Sequence, residues 1–103
     1  ILFDDIIDTG GTIAAASRAL IERGAKSVSV AATHGIFSDE SVEKLKDTPI
    51  EEIVVTDTLK QNGNIEKIGN VNILSVSSII ATALTSIFAD DSVSAIFMGE
   101  NVL

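Results

Sequence analysis

Two carboxylates and a run of small residues stand close together near the start of the sequence: Asp4-Asp5, then Ile6-Ile7, then Asp8-Thr9-Gly10-Gly11-Thr12. Apolar Ile1-Leu2-Phe3 leads in, and a helix-like pattern leads out. A small-residue loop between strand and helix presents backbone N–H groups to an anion. Glycines let the backbone approach it closely, and the Thr9 and Thr12 hydroxyls add donors. The same residues also suit a tight strand-to-helix turn with Thr as the helix cap. No Lys follows the glycines, so this is not a Walker loop, and the G-x-G-x-x-G spacing of dinucleotide sites is absent. Asp4 and Asp5 add something a bare phosphate cradle does not need. Carboxylates accept hydrogen bonds from vicinal hydroxyls, or hold water on Mg2+. A sugar phosphate would use both features. Consecutive strand side chains point to opposite faces, so one of the two carboxylates is expected to face inward.

Other polar residues carry less. His34 is the only histidine, and no Ser-His-Asp or metal-ligand spacing surrounds it. A structural role is expected for it. Asp57 reads either as a ligand contact or as the start of a turn. Asp90-Asp91 reads as a solvated turn.

The elements that must position these residues follow from periodicity. Ile1–Phe3 reads as a buried strand, with Asp4 and Asp5 at its C-terminal end. A helix is expected from Gly11 or Thr12, with Ile13, Ala16 and Leu20 on one face, stopping at Gly24. Val28–Ala32 is a second strand, running out in Thr33-His34-Gly35. Ser38 is the expected N-cap of a short helix whose Val42 and Leu45 face inward, ended by Asp47-Thr48-Pro49. Ile53–Thr56 is a third strand, and residues 60–70 read as an exposed loop. Val71–Val76 is a fourth strand, and Ser77 or Ser78 caps a helix bearing Ile79, Ile80, Ala83, Leu84 and Ile87. Alternating strands and helices predict an α/β fold with a mostly parallel sheet flanked by helices. In such sheets ligands sit at the C-terminal strand ends, where Asp4-Asp5, the 8–12 loop, Thr33-His34 and Thr56-Asp57 all fall.

The 103 residues carry 46% hydrophobic side chains, with no Trp, Tyr or Cys and a formal net charge of −8. That balance predicts an aliphatic core and argues against nucleic-acid binding, which needs clustered Lys and Arg. A local cluster of amides can still prevail over distant negative charge, because exposed charges are screened over ~8 Å at physiological salt. Without cysteine there is neither a disulfide nor a thiolate metal site, which fits a cytoplasmic setting. No apolar run approaches the length of a membrane span, and no signal peptide is visible. An apolar run that begins at residue 1 without a Met leads us to expect residues 1–103 to be the C-terminal portion of a longer domain, incomplete by itself.

Residues 1–13 resemble the phosphoribosyl pyrophosphate-binding motif of type I phosphoribosyltransferases: an apolar strand, two acids, two apolar residues, then a Thr- and Gly-rich loop. Further segments narrow the likeness. Glu22–Val28, Ala32–Ser38, Glu51–Thr58 and Ser92-Val93-Ser94 follow, in order, the C-terminal part of the ribose-phosphate pyrophosphokinase family. The resemblance implies a phosphoribosyltransferase-like fold and an enzyme that transfers diphosphate from ATP to ribose 5-phosphate with Mg2+. It places the 5-phosphate on Asp8, Thr9, Gly10, Gly11 and Thr12, the ribose hydroxyls on Asp4, and Asp5 beside them in a supporting or metal-water role. Ser92 and Ser94 match positions near a regulatory anion site. Family members are usually hexamers with phosphate activation and ADP inhibition, so a homo-oligomer is expected. The ATP-binding segment, the metal-binding His and the catalytic Lys-Arg loop lie upstream in the family, so no catalytic residue or metal ligand is expected within this chain. Two departures stand out: Leu59-Lys60 replaces an apolar residue and Pro, and Ala81–Ser86 lacks the family's Glu and Arg pair. Another type I phosphoribosyltransferase and a non-catalytic regulatory relative are the competing readings.

Overall fold

The computed structural model describes residues 1–90. Four strands, β1 (Leu2–Ile7), β2 (Val28–Gly35), β3 (Ile50–Thr56) and β4 (Val71–Leu74), alternate with four helices, α1 (Gly11–Glu22), α2 (Asp39–Lys46), α3 (Asn64–Ile68) and α4 (Ser77–Phe88). The strands form one sheet in the order β1-β2-β3-β4. Every neighbouring pair is parallel. This is the α/β arrangement that the alternating periodicity predicts.

One face of the sheet carries the core. Val28, Val30 and Ala32 of β2 and Ile53 and Val55 of β3 are buried, as the alternation of strand side chains requires. The helices add Ile13 and Ala14 of α1, Leu45 of α2 and Ile68 of α3 to the same cluster. The opposite face is poorly covered among the described residues. Phe3 is 80% exposed, and its register partner Ala31 is only half-buried. Helix α4 has no buried residue, and Ile80, Leu84, Ile87 and Phe88 are exposed on it.

Several boundaries differ from the sequence expectation. β1 does not end at Phe3: its pairing with β2 runs on through Asp4↔Ala32 and Ile6↔His34 to Ile7↔Gly35. Both acids therefore lie within the strand, not at its end, and both are exposed, with Asp4 in register with buried Ala32. On α1 the buried residues are Ile13, Ala14 and Ser17, while Leu20 is exposed. Ser17 is admitted because its hydroxyl donates to the Ile13 carbonyl at 2.7 Å, which satisfies the buried group. Part of the expected 60–70 loop is helix α3, entered from Gly63 and closed by Gly69. β4 stops at Leu74 rather than Val76, and Val76, not a serine, stands at the N-cap of α4.

Candidate functional site

The Asp8–Thr12 loop joins β1 to α1. Gly10 is the N-cap of α1 and adopts the left-handed conformation, φ +80°. That is glycine territory, and a β-carbon there would also lie 2.7 Å from Leu45 Cγ of α2. Gly11 differs: a β-carbon would meet nothing closer than Lys44 Nζ at 3.6 Å. The first backbone bond of the helix runs from Ala14 N–H to the Gly10 carbonyl at 2.9 Å. The amides of Gly11, Thr12 and Ile13 precede it, so they stand among the N-terminal donors that a helix cannot satisfy internally. Gly11 N–H reaches Thr9 Oγ1 at 3.5 Å, a long bond. These donors carry the positive end of the α1 dipole.

The loop is fastened from outside. Ile36 and Phe37 N–H donate to the Ile7 carbonyl at 2.8 and 3.2 Å, and Ser38 N–H donates to the Asp8 carbonyl at 3.1 Å. The Ser38 hydroxyl adds a second bond to that carbonyl at 3.3 Å, so it is not spent on capping α2. Phe37 is fully buried with φ +50°, which turns the chain sharply from β2 toward α2.

A hollow of about 160 Å3 is lined by Asp4, Ile6, Ile7 and the whole loop through Ile13. That volume suits a small polar group rather than a drug-sized ligand. Six of the seven residues singled out at this end of the sequence thus meet around one hollow: Asp4, Asp8, Thr9, Gly10, Gly11 and Thr12. Asp5 does not line it. Asp4 also borders a second hollow of about 230 Å3 with Phe3, Ala31, Thr33, Val54, Thr56 and Leu74 among its walls.

Asp4 Oδ1 accepts Asp5 N–H at 2.8 Å, and Asp5 Oδ1 accepts Ile6 N–H at 2.8 Å. The Asp4 carboxyl beside it, then the Ile6 N–H, hold the Asp5 carboxyl below the usual aspartate range, with a smaller contribution from His34. Asp5 therefore remains an anion under acidic conditions in which ordinary aspartates take up a proton.

The remaining candidates have structural partners. His34 Nδ1 lies 2.7 Å from Thr58 Oγ1, and Thr56 Oγ1 donates to the Thr33 carbonyl at 2.7 Å. Asp57 Oδ1 accepts Val76 N–H at 2.9 Å, which ties the end of β3 to the start of α4. Ser92 and Ser94, and Asp91, lie outside the described residues. Among the described residues no group of three or more His, Cys, Asp or Glu could hold a metal ion. The adjacent carboxylates of Asp4 and Asp5 suit hydrogen bonds to a Mg2+-bound water, a role that needs no complete ligand set.

Residues 1–98 match the family model described as the phosphoribosyl synthetase-associated domain. The chain belongs to this family. Among similar proteins, the ribose-phosphate pyrophosphokinase of Buchnera aphidicola subsp. Acyrthosiphon pisum is 47% identical over 97 residues, covering 94% of this chain and 31% of the relative. That of Corynebacterium glutamicum is 46% identical over 100 residues, covering 97% and 30%. The crystal structure of phosphoribosylpyrophosphate synthetase from Mycobacterium smegmatis superimposes with a TM-score of 0.77 at 40% identity, covering 86% of this chain and 30% of that one. The phosphoribosyl synthetase-associated domain described here thus spans about a third of the length of its relatives. No helix of the described residues is long and apolar enough to cross a membrane.

One residue near this domain's loop, though not in the wall of the hollow, stands outside everything the sequence singled out. Lys44, on α2, carries its ammonium to the edge of Gly11. Nothing in the local sequence marks it, because it lies 33 positions beyond Gly11 in an ordinary charged helix.

Proposed function

We propose that this chain supplies the ribose 5-phosphate subsite of a ribose-phosphate diphosphokinase. The observation that carries the reading is identity of 47% over 94% of the chain to an enzyme of that name, with the loop region inside the matched span. The reaction moves the diphosphoryl group of ATP to the 1-hydroxyl of ribose 5-phosphate, giving phosphoribosyl pyrophosphate and AMP.

Within this reading the sugar's 5-phosphate lies at the N-terminus of α1, against the amides of residues 9–12 and the Thr9 and Thr12 hydroxyls. Asp4, on the wall of the same hollow, accepts hydrogen bonds from the ribose hydroxyls. Asp5 sits beside it, ionised. Held at both ends, the sugar has its 1-hydroxyl fixed in direction, and phosphoryl-transfer chemistry depends chiefly on such positioning and on charge stabilisation. Mg2+, when bound, supplies charge stabilisation. ATP, the metal and the reacting groups are handled by residues outside this chain in this reading. We further place the enzyme in the cytoplasm as a homo-oligomer, on family likeness.

The test is an assay of AMP release from ATP and ribose 5-phosphate by the full protein. AMP release dependent on the sugar supports the reading. Consumption of phosphoribosyl pyrophosphate with a base, and no AMP release, would assign the chain to a glycosyl-transferring enzyme instead.

A further inference from the structure

We infer that Lys44 is a cationic arm beside the Asp8–Thr12 loop that strengthens its hold on the sugar's phosphate. The inference rests on the ribose 5-phosphate reading above and adds a residue to it. A β-carbon at Gly11 would lie 3.6 Å from Lys44 Nζ and 3.8 Å from its Cδ, so the side chain lies alongside the start of α1. Gly11 is itself part of the wall of the 160 Å3 hollow. The next residue of α2, Leu45, packs under Gly10, so the backbone that carries Lys44 is fixed against the loop.

The chemistry of the loop leaves a gap that this residue fills. The loop offers amides and hydroxyls but no charged donor of its own. Its surroundings are acidic: Asp4, Asp5 and Asp8 lie in or beside the hollow, and the chain carries a net −8. A phosphate dianion entering there meets a hostile field that helix-terminus partial charges offset only in part. An ammonium next to Gly11 supplies the missing full charge. That ammonium is paired with Glu40 at 3.4 Å, one turn earlier on α2. Both partners are largely exposed, at 44% and 69%, so the bond is weak and readily exchanged for a phosphate.

The test compares the full protein with Lys44→Met, Lys44→Arg and Lys26→Met. Lys26 lies past the far end of α1, ~18 Å away along a helix of this length, and serves as the charge control. In Lys44→Met the KM for ribose 5-phosphate should rise roughly five- to thirtyfold with kcat held, as for loss of one charge-assisted bond at a half-exposed site. The dependence of KM on salt should flatten. Lys44→Arg should restore most of the affinity, and Lys26→Met should leave it unchanged. Calorimetry with inorganic phosphate on the same proteins should show the same order of affinities. An unchanged KM in Lys44→Met, while the parent turns over ribose 5-phosphate, overturns the role of Lys44 and leaves the functional reading standing. A parent that binds inorganic phosphate through Lys44 but releases no AMP overturns the functional reading and leaves the anion role of Lys44 standing. A parent that binds no phosphate and releases no AMP overturns both.

Discussion

Ser38 holds Asp8 by its carbonyl, through the backbone N–H at 3.1 Å and the hydroxyl at 3.3 Å. The residue that begins the Asp8–Thr12 loop is thus gripped from the connection between β2 and α2. Ser38→Ala removes the hydroxyl bond and keeps the amide bond. We expect a stability loss of below ~1.5 kcal/mol. The looser Asp8 carbonyl should also raise the KM for ribose 5-phosphate. Thermal melts and kinetics on the same variant check the two effects.

The two glycines of the loop do different work. Gly10→Ala forces a side chain into a left-handed φ and against Leu45 Cγ, so it should destabilise by about 2–4 kcal/mol. Gly11→Ala meets only ordinary contacts in a helical position, and stability should hold or rise by up to ~1 kcal/mol. Denaturant titration of the two variants is the measurement. Equal losses at both positions would contradict the assignment.

Asp4 and Asp5 should separate in kinetics although they are adjacent. Only Asp4 lines the loop hollow. Asp4→Ala is expected to lower kcat/KM for ribose 5-phosphate roughly 10- to 100-fold, as for a lost bond to a charged acceptor. Asp5→Asn should cost less. Both side chains are exposed, so melting temperatures should stay near the parent's. Unchanged kinetics in Asp4→Ala would remove it from the sugar's binding set.

Asp5 also gives a pH signature. Its carboxyl is held below the ordinary aspartate value of 3.8 in the fold. A depressed folded-state pKa favours the ionised form, so its contribution is present above the unfolded value and fades as pH falls through the folded value. Carbon-detected NMR titration should show Asp5 taking up its proton at lower pH than 3.8.

Asp57 is expected to act on structure rather than on ligand. Asp57→Ala removes the acceptor for Val76 N–H. Amide exchange at Val76 should quicken without a change in the KM for ribose 5-phosphate. A large KM effect would return Asp57 to the list of ligand contacts.

The main elements and the loop site were legible in the sequence because both are local. An apolar run, two acids and a glycine loop lie within 13 residues, and the strand–helix alternation fixes the parallel sheet. The errors have physical causes. Charged residues are poor strand formers, so the sequence pattern ends β1 at Phe3, whereas exposed acids are tolerated because β1 is an edge strand among the described residues. Ser17 enters the core by a satisfied hydroxyl, which is invisible in a hydrophobic pattern. Helix α3 has five residues, too few to show a period. Lys44 was not legible at all, since its closeness to Gly11 arises only when α2 folds back on the loop.

The uncovered face of the sheet carries a consequence for handling the isolated chain. Phe3 and the flank of α4 with Ile80, Ile87 and Phe88 form sticky surface in water. At neutral pH the net charge of −8 keeps such molecules apart by mutual repulsion. Near the isoelectric point, about 4.3, that repulsion vanishes while the apolar surface remains. Solutions of the isolated chain should therefore cloud on mild acidification, before the fold itself is lost, and clear again when the pH is raised.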